Sequence, residues 1–135
     1  MSASTVTCWH TFSVRDAAVM IDWLRAVGFV EHATYRDDAD PSVVVHAEWL
    51  WEGPTGTAGV MFGTERDSGV VHNTGQASAY LVCADADAVR ATAEAAVAAG
   101  GSLEQAVTEK DYGGAGGTVR DPEGNQWSLG DYQPS

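Results

Sequence analysis

A chain of 135 residues, 44% of them apolar, is long enough for one compact domain or for two small units sharing a core. Its formal charge of −12 argues against a nucleic-acid partner, because such a surface repels phosphate backbones; it favours a cationic ligand where carboxylates gather round a cleft. No apolar run approaches the roughly 20 residues of a membrane span and no signal-peptide pattern opens the chain, so no membrane partner and a cytoplasmic location are expected.

Residues 1–5 form a small polar tail that is expected to fray. Alternation over residues 6–14 predicts a strand, with Cys8, His10, Phe12 and Val14 on one face and Thr7, Trp9, Thr11 and Ser13 on the other. Asp16 is suited to cap a helix whose apolar stripe is Ala17, Met20, Ile21, Leu24 and Val27, with Trp23 at its edge and Gly28 as its stop. Strands are predicted at residues 29–35, 43–51 and 58–63, separated by an Asp-rich turn and a Gly-Pro turn. Residues 64–76 show charges and glycines without periodicity and form a linker.

The same order then recurs. Residues 77–83 predict a strand, and Asp85 or Asp87 caps a helix that runs to Ala99, where Gly100-Gly101 stops it. A strand at 103–108, a glycine-rich loop at 110–116, and a final hairpin of strands 118–120 and 125–132 complete the chain. Asp121-Pro122-Glu123-Gly124 has the composition of a type I turn. After it Trp127 and Leu129 share one strand face, and Gln126, Ser128 and Gly130 the other.

The repeat has a period of roughly 70 residues and consists of two supersecondary units, each with an uncovered sheet face. The predicted fold class is α+β: two tandem βαβββ modules at residues 6–64 and 77–132, in one domain with a linker at 65–76. They form a curved mixed sheet around a cleft, with helices on the outer face.

These features resemble the vicinal oxygen chelate superfamily, which includes glyoxalases, extradiol dioxygenases and bleomycin resistance proteins. The resemblance spans nearly the whole chain. It rests on Val14-Arg15-Asp16 before the first helix, His46-Ala47-Glu48 in the long strand, and the run from Asp121 to Gly130. It implies a cleft inside each curved half-barrel, completed by dimerisation. In the family's enzymes it also implies a metal ligand, His or Glu, on each of four strands. Carried over one by one, those positions fall on Trp9, Met61, a residue within two of Ala79, and Ser128; Tyr80 and Leu81 are no better as ligands than Ala79. None is His, Asp, Glu or Cys, so no metal and no other cofactor is expected.

The first functional expectation is therefore a metal-independent binding protein of the bleomycin-resistance-like branch, a homodimer that sequesters a small organic molecule, cationic or aromatic, such as an antibiotic. The candidate ligand-binding residues are Trp9, His46, Glu48, Met61, Tyr80, Tyr112 and Ser128. The Trp9 ring suits stacking on a planar or cationic ligand, or simply closes the pocket. His46 and Glu48 share one face of their strand, either as a cleft-lining pair or as a surface pair. Trp49 and Trp51 lie on the opposite face, and only one of the two faces can line the cleft. Tyr112 and its glycines form either a lid or a plain hairpin loop.

Phe62 and Trp127 are expected in the core, His10 as a satisfied core histidine, His32 and His72 exposed, and Cys8 and Cys83 as buried free thiols. The alternatives are a glyoxalase-like lyase, isomerase or dioxygenase acting in the same cleft, with misplaced metal ligands or with His46 or Glu48 as a base, and a domain whose dimer surface is its function. Neither a nucleophile–base arrangement nor a phosphate-cradling glycine motif is present.

Overall fold

The two helices begin and end alike, which is the clearest local sign of the repeat. Asp16 accepts a hydrogen bond from the Val19 N–H and Asp85 from the Ala88 N–H, each satisfying an otherwise unpaired donor of the first turn. Each helix stops at a glycine with φ of +108°, Gly28 or Gly100, a conformation that a side chain would strain.

In this computed structural model, which describes residues 2–134, the elements are β1 (Trp9–Val14), α1 (Ala17–Ala26), β2 (Val30–Arg36), β3 (Val44–Glu52), β4 (Thr57–Thr64), β5 (Ser78–Val82), α2 (Ala86–Ala98), β6 (Ser102–Glu109), β7 (Ala115–Arg120) and β8 (Gln126–Gly130). A 3-10 turn at Ala3–Thr5 precedes them, capped by the Ser2 side chain, where a frayed tail was expected; residue 1 lies outside the described residues. The strands form two four-stranded mixed sheets, β1-β4-β3-β2 and β5-β8-β7-β6. In each, the strand before the helix pairs parallel with the last strand of its module, and the remaining pairs are antiparallel. The architecture is two βαβββ modules of an α+β fold, with the two sheets not joined into one.

One face of each sheet carries the helices. In the first sheet that face bears Phe12, Ala47, Trp49, Val60 and Phe62, with Phe12 and Phe62 stacked at 5.4 Å. In the second it bears Leu81, Val119, Trp127 and Leu129. The two apolar faces belong to one core, and Trp127 is where they meet. Its ring lies 5.4 Å from Trp23, 5.8 Å from Phe29 and 6.2 Å from Phe12. Trp23 was expected at the edge of its helical stripe. It is instead 1% exposed, because α1 must face α2 as well as its own sheet, and its Nε1 donates to the Ala96 carbonyl at 3.0 Å.

Three further departures from the predicted boundaries have local causes. β1 begins at Trp9 rather than at residue 6, since its register with β4 starts at the Trp9–Gly59 pair; Cys8 is therefore exposed, not buried. Gly116 and Gly117 lie inside β7 rather than in a loop. A Cβ on Gly117 would sit 2.9 Å from Val107 Cγ2, so the strand passes too close to β6 for any side chain there. In β3 a bulge at Val45 puts Val44 in the core while Val45 is exposed.

The Asp-Pro-Glu-Gly turn forms as expected, the Gly124 N–H donating to the Asp121 carbonyl at 3.0 Å. The buried Asp121 carboxylate accepts from the Glu123 and Asn125 N–H groups, from Asn125 Nδ2 and from Trp127 Nε1. It is a structural keystone of the hairpin, with all its oxygens engaged.

Candidate functional site

The face of the first sheet turned away from the helices carries Trp9, Thr11 and Ser13 from β1, Met61 from β4, and His46 and Glu48 from β3. Glu48 stands opposite Met61, whereas Trp49 stands opposite core Val60. The choice between the two faces of β3 is thus decided: His46 and Glu48 take the open face, and Trp49 is in the core. Glu48 Oε2 lies 2.9 Å from His46 Nε2, and Oε1 lies 3.8 Å from His32 Nε2 on β2. Tyr35 stacks on the His46 ring at 6.4 Å.

Of the positions carried over for metal ligands, Trp9 lays its ring across the backbone of Gly59, where a Cβ would overlap it. Ala79 pairs with Trp127 and packs on the core side, so the second-module residue that faces away from the core is its neighbour Tyr80, which pairs with Ser128. Tyr80 lies over Gly130 and donates its hydroxyl to the Tyr132 carbonyl at 2.8 Å. Burial, with Tyr112 and Asp131 adding to it, raises the Tyr80 pKa, so the group stays a protonated donor. Ser128 Oγ is 3.0 Å from Thr118 Oγ1. An indole, a thioether, a tied phenol and a paired hydroxyl do not fit a divalent transition metal, which takes imidazole, carboxylate or thiolate donors at such sites.

Two cavities flank β1. The larger, about 500 Å³, opens along the seam between β1 and β5. Trp9 and Thr11 line it from one side, Ser78 and Tyr80 from the other, and Phe29 and Trp127 also border it. Among the described residues, no Asp, Glu, Lys or Arg lines it. The net charge of the chain is not concentrated here, contrary to an acidic rim. His10 is its one titratable wall residue besides Cys8 and Tyr80. Its ring meets Trp127 edge-on at 5.5 Å, and its buried Nε2 has no hydrogen-bond partner among the described residues, so it is not the satisfied core histidine expected. Burial lowers the His10 pKa, with Asp121 opposing, and favours the neutral ring.

The smaller cavity, about 210 Å³, lies over the open face of the first sheet and includes His46, Met61, Thr11 and Ser13. The linker roofs it with Val70 and Val71, while Arg66 Nη1 reaches the Val45 carbonyl at 3.3 Å and Thr74 meets Ser13 at 2.6 Å. The candidate residues thus divide. Trp9 and Tyr80 share the seam cavity, His46 and Met61 share the roofed one, Glu48 stands beside His46, and Ser128 and Tyr112 line neither. Tyr112 is exposed on its glycine turn and packs edge-on at 5.0 Å against Tyr132, the residue whose carbonyl holds the Tyr80 hydroxyl. His32 and His72 are exposed as expected. Sequence reasoning missed His10, Asn73 and Tyr132, which shape the seam. Their importance comes from contacts with distant segments, and no local pattern marks them.

Residues 9–130 match the family model described as Glyoxalase-like domain. The chain belongs to that family. Its fold is that of the glyoxalase, bleomycin resistance and dioxygenase superfamily. It is similar to TioX from Micromonospora sp. ML1, at 22% identity over 95% of this chain and 97% of that one, with a TM-score of 0.63. A glyoxalase/bleomycin resistance protein from Albidiferax ferrireducens T118 is 15% identical over 94% and 98% of the two chains, with a TM-score of 0.61. A putative 3-demethylubiquinone-9 3-methyltransferase, PhnB protein, from Bacillus cereus is 15% identical over 93% and 98%, with a TM-score of 0.66. These likenesses establish the fold of this glyoxalase-like protein. No curated protein matches the chain.

Proposed function

We propose that this glyoxalase-like protein captures a small aromatic ligand in the seam between its modules, without a metal. One observation carries the reading: Trp9 and Tyr80, which stand at or beside inherited ligand positions, flank a cavity of about 500 Å³ with no ionised carboxylate, lysine or arginine in its wall. A cavity of that size and apolar character suits a drug-sized molecule. The uncharged wall favours an aromatic ligand over a cationic one, because a cation would lose its water without gaining a counter-charge. Sequestration of an antibiotic fits this arrangement and agrees with the bleomycin resistance named among its structural neighbours. We further place the protein in the cytoplasm as a homodimer, whose contact would cover apolar residues such as Val70, now 96% exposed.

The test is titration with a panel of aromatic antibiotics, read by tryptophan fluorescence and calorimetry. Saturable quenching is expected, and Trp9→Ala is expected to abolish it while the protein remains folded. Binding that disappears on chelation, or one firmly held transition metal per chain, would overturn the reading. Light scattering that gives a monomer at micromolar concentration would overturn the dimer.

A second reading has its own observation. The Glu48 carboxylate holds His46 Nε2 at 2.9 Å, the arrangement that fixes an imidazole for proton transfer, and His46 borders the roofed cavity. That reading predicts lyase or isomerase turnover that His46→Ala removes; Trp9→Ala would leave it in place.

A further inference from the structure

β1 and β5 each stand at the end of their sheet, and among the described residues β1 pairs only with β4 and β5 only with β8. Their outer edges face each other across the seam cavity. Backbone polar groups along a strand turn alternately to its two sides. In β1 the Ser13 N–H and the Thr11 carbonyl bond to the side chain of Asn73, while the Val14 carbonyl bonds to Glu65 just past β4. The odd-numbered residues of β1 thus turn their backbone groups away from β4 and toward the seam. In β5 the Ala77 carbonyl and the Cys83 N–H bond to Gln126 and Gly130 on the β8 side, so Ser78 and Tyr80 turn theirs to the seam.

Asn73 shows what such an edge holds. Its carboxamide accepts from the Ser13 N–H at 3.2 Å and donates to the Thr11 carbonyl at 3.0 Å, taking the N–H of one residue and the carbonyl two before it. The next pair along the same edge, the Thr11 N–H and the Trp9 carbonyl, repeats that arrangement. So does the pair formed by the Tyr80 N–H and the Ser78 carbonyl across the seam. Among the described residues, none of these four groups has a backbone or side-chain partner. All four belong to residues that line the cavity. Trp9 and Tyr80 add an aromatic ring to each pair.

We infer that the seam takes a neutral aromatic ligand bearing a carboxamide, which docks on one of these two backbone pairs as Asn73 docks on the adjacent one. This rests on the capture reading and names the ligand class. An amide supplies a donor and an acceptor in one plane, matching a strand edge, and carries no charge into a wall that could not neutralise it. An ester lacks the donor, and a dialkylated amide has lost it.

Naphthalene carboxamide, its N,N-dimethyl derivative and the corresponding methyl ester separate the possibilities by calorimetry. The primary amide is expected to bind about tenfold more tightly than either analogue, the scale of one hydrogen bond whose loss leaves buried groups unpaired. In amide exchange read by NMR, the Thr11 or Tyr80 N–H is expected to become protected on adding the primary amide and not on adding the ester. Equal affinity for all three, or no protection at either N–H, overturns the carboxamide inference and leaves aromatic capture standing. No binding of any of the three at millimolar concentration overturns both.

Discussion

At the scale of single residues, His10 and Asp121 make an instructive pair. His10 is half-buried against Phe12 and Trp127 and Asp121 is buried beneath Trp127, yet Asp121 has every oxygen engaged whereas the buried His10 Nε2 has no partner among the described residues. Replacing Asp121 by Ala would leave the Trp127 indole and two backbone N–H groups unpaired. A loss of about 3 kcal/mol is expected, read from urea unfolding. His10→Phe removes an orphan and keeps the ring contacts, so stability at neutral pH is expected to hold or to rise by about 1 kcal/mol. The pH dependence follows from the sign of the shift. His10 has a lowered pKa in the folded protein, so the unfolded chain binds its proton first as pH falls. Its contribution to stability is fully present above the ordinary histidine pKa and is lost progressively below it, toward the lowered folded value. Wild-type protein should therefore lose stability between neutral pH and pH 5 more steeply than His10→Phe, measured by urea midpoints across that range.

At the scale of elements, close approach decides where glycine is needed. Trp9 lies flat only because Gly59 beside it lacks a side chain. Gly59→Ala is expected to lift the indole off β4, change the near-ultraviolet circular dichroism and weaken aromatic binding, at a stability cost of about 1–3 kcal/mol. The helices and their caps were legible before the structure, since Asp16, Asp85, Gly28 and Gly100 act within a turn of their own position. The candidate site was only partly legible. Trp9 and Tyr80 were singled out from the sequence and share a cavity, but so were Tyr112 and Ser128, which stand elsewhere. Counting along a strand fixes which face a residue takes and cannot say what lies across from it. The bulge at Val45 shows how even that count shifts by a residue when the partner strand sets the register.

At the scale of the whole molecule, the charge of −12 and the uncharged cavity have separable consequences. Self-repulsion among the surface carboxylates is screened by salt, so thermal stability is expected to rise between low and moderate NaCl. The affinity for a neutral aromatic probe should change by less than about twofold over the same range, because no charged wall residue steers or holds it. A steep salt dependence of binding would point to a ligand site on the acidic surface instead.

By itself the sequence determined the two-module repeat, the helix ends and the hairpin turn, because each depends on the pattern of residues a few positions apart. Only the tertiary structure decided that α1 and α2 share one core around Trp127, that His46 and Glu48 take the open face, and that β1 and β5 leave a gap lined by backbone groups that have no partner among the described residues. Those outcomes depend on how large apolar faces pack when segments some 60 residues apart meet, as Ser13 and Asn73 do. Packing of that kind is set by the volumes of many side chains acting together, which no local pattern encodes.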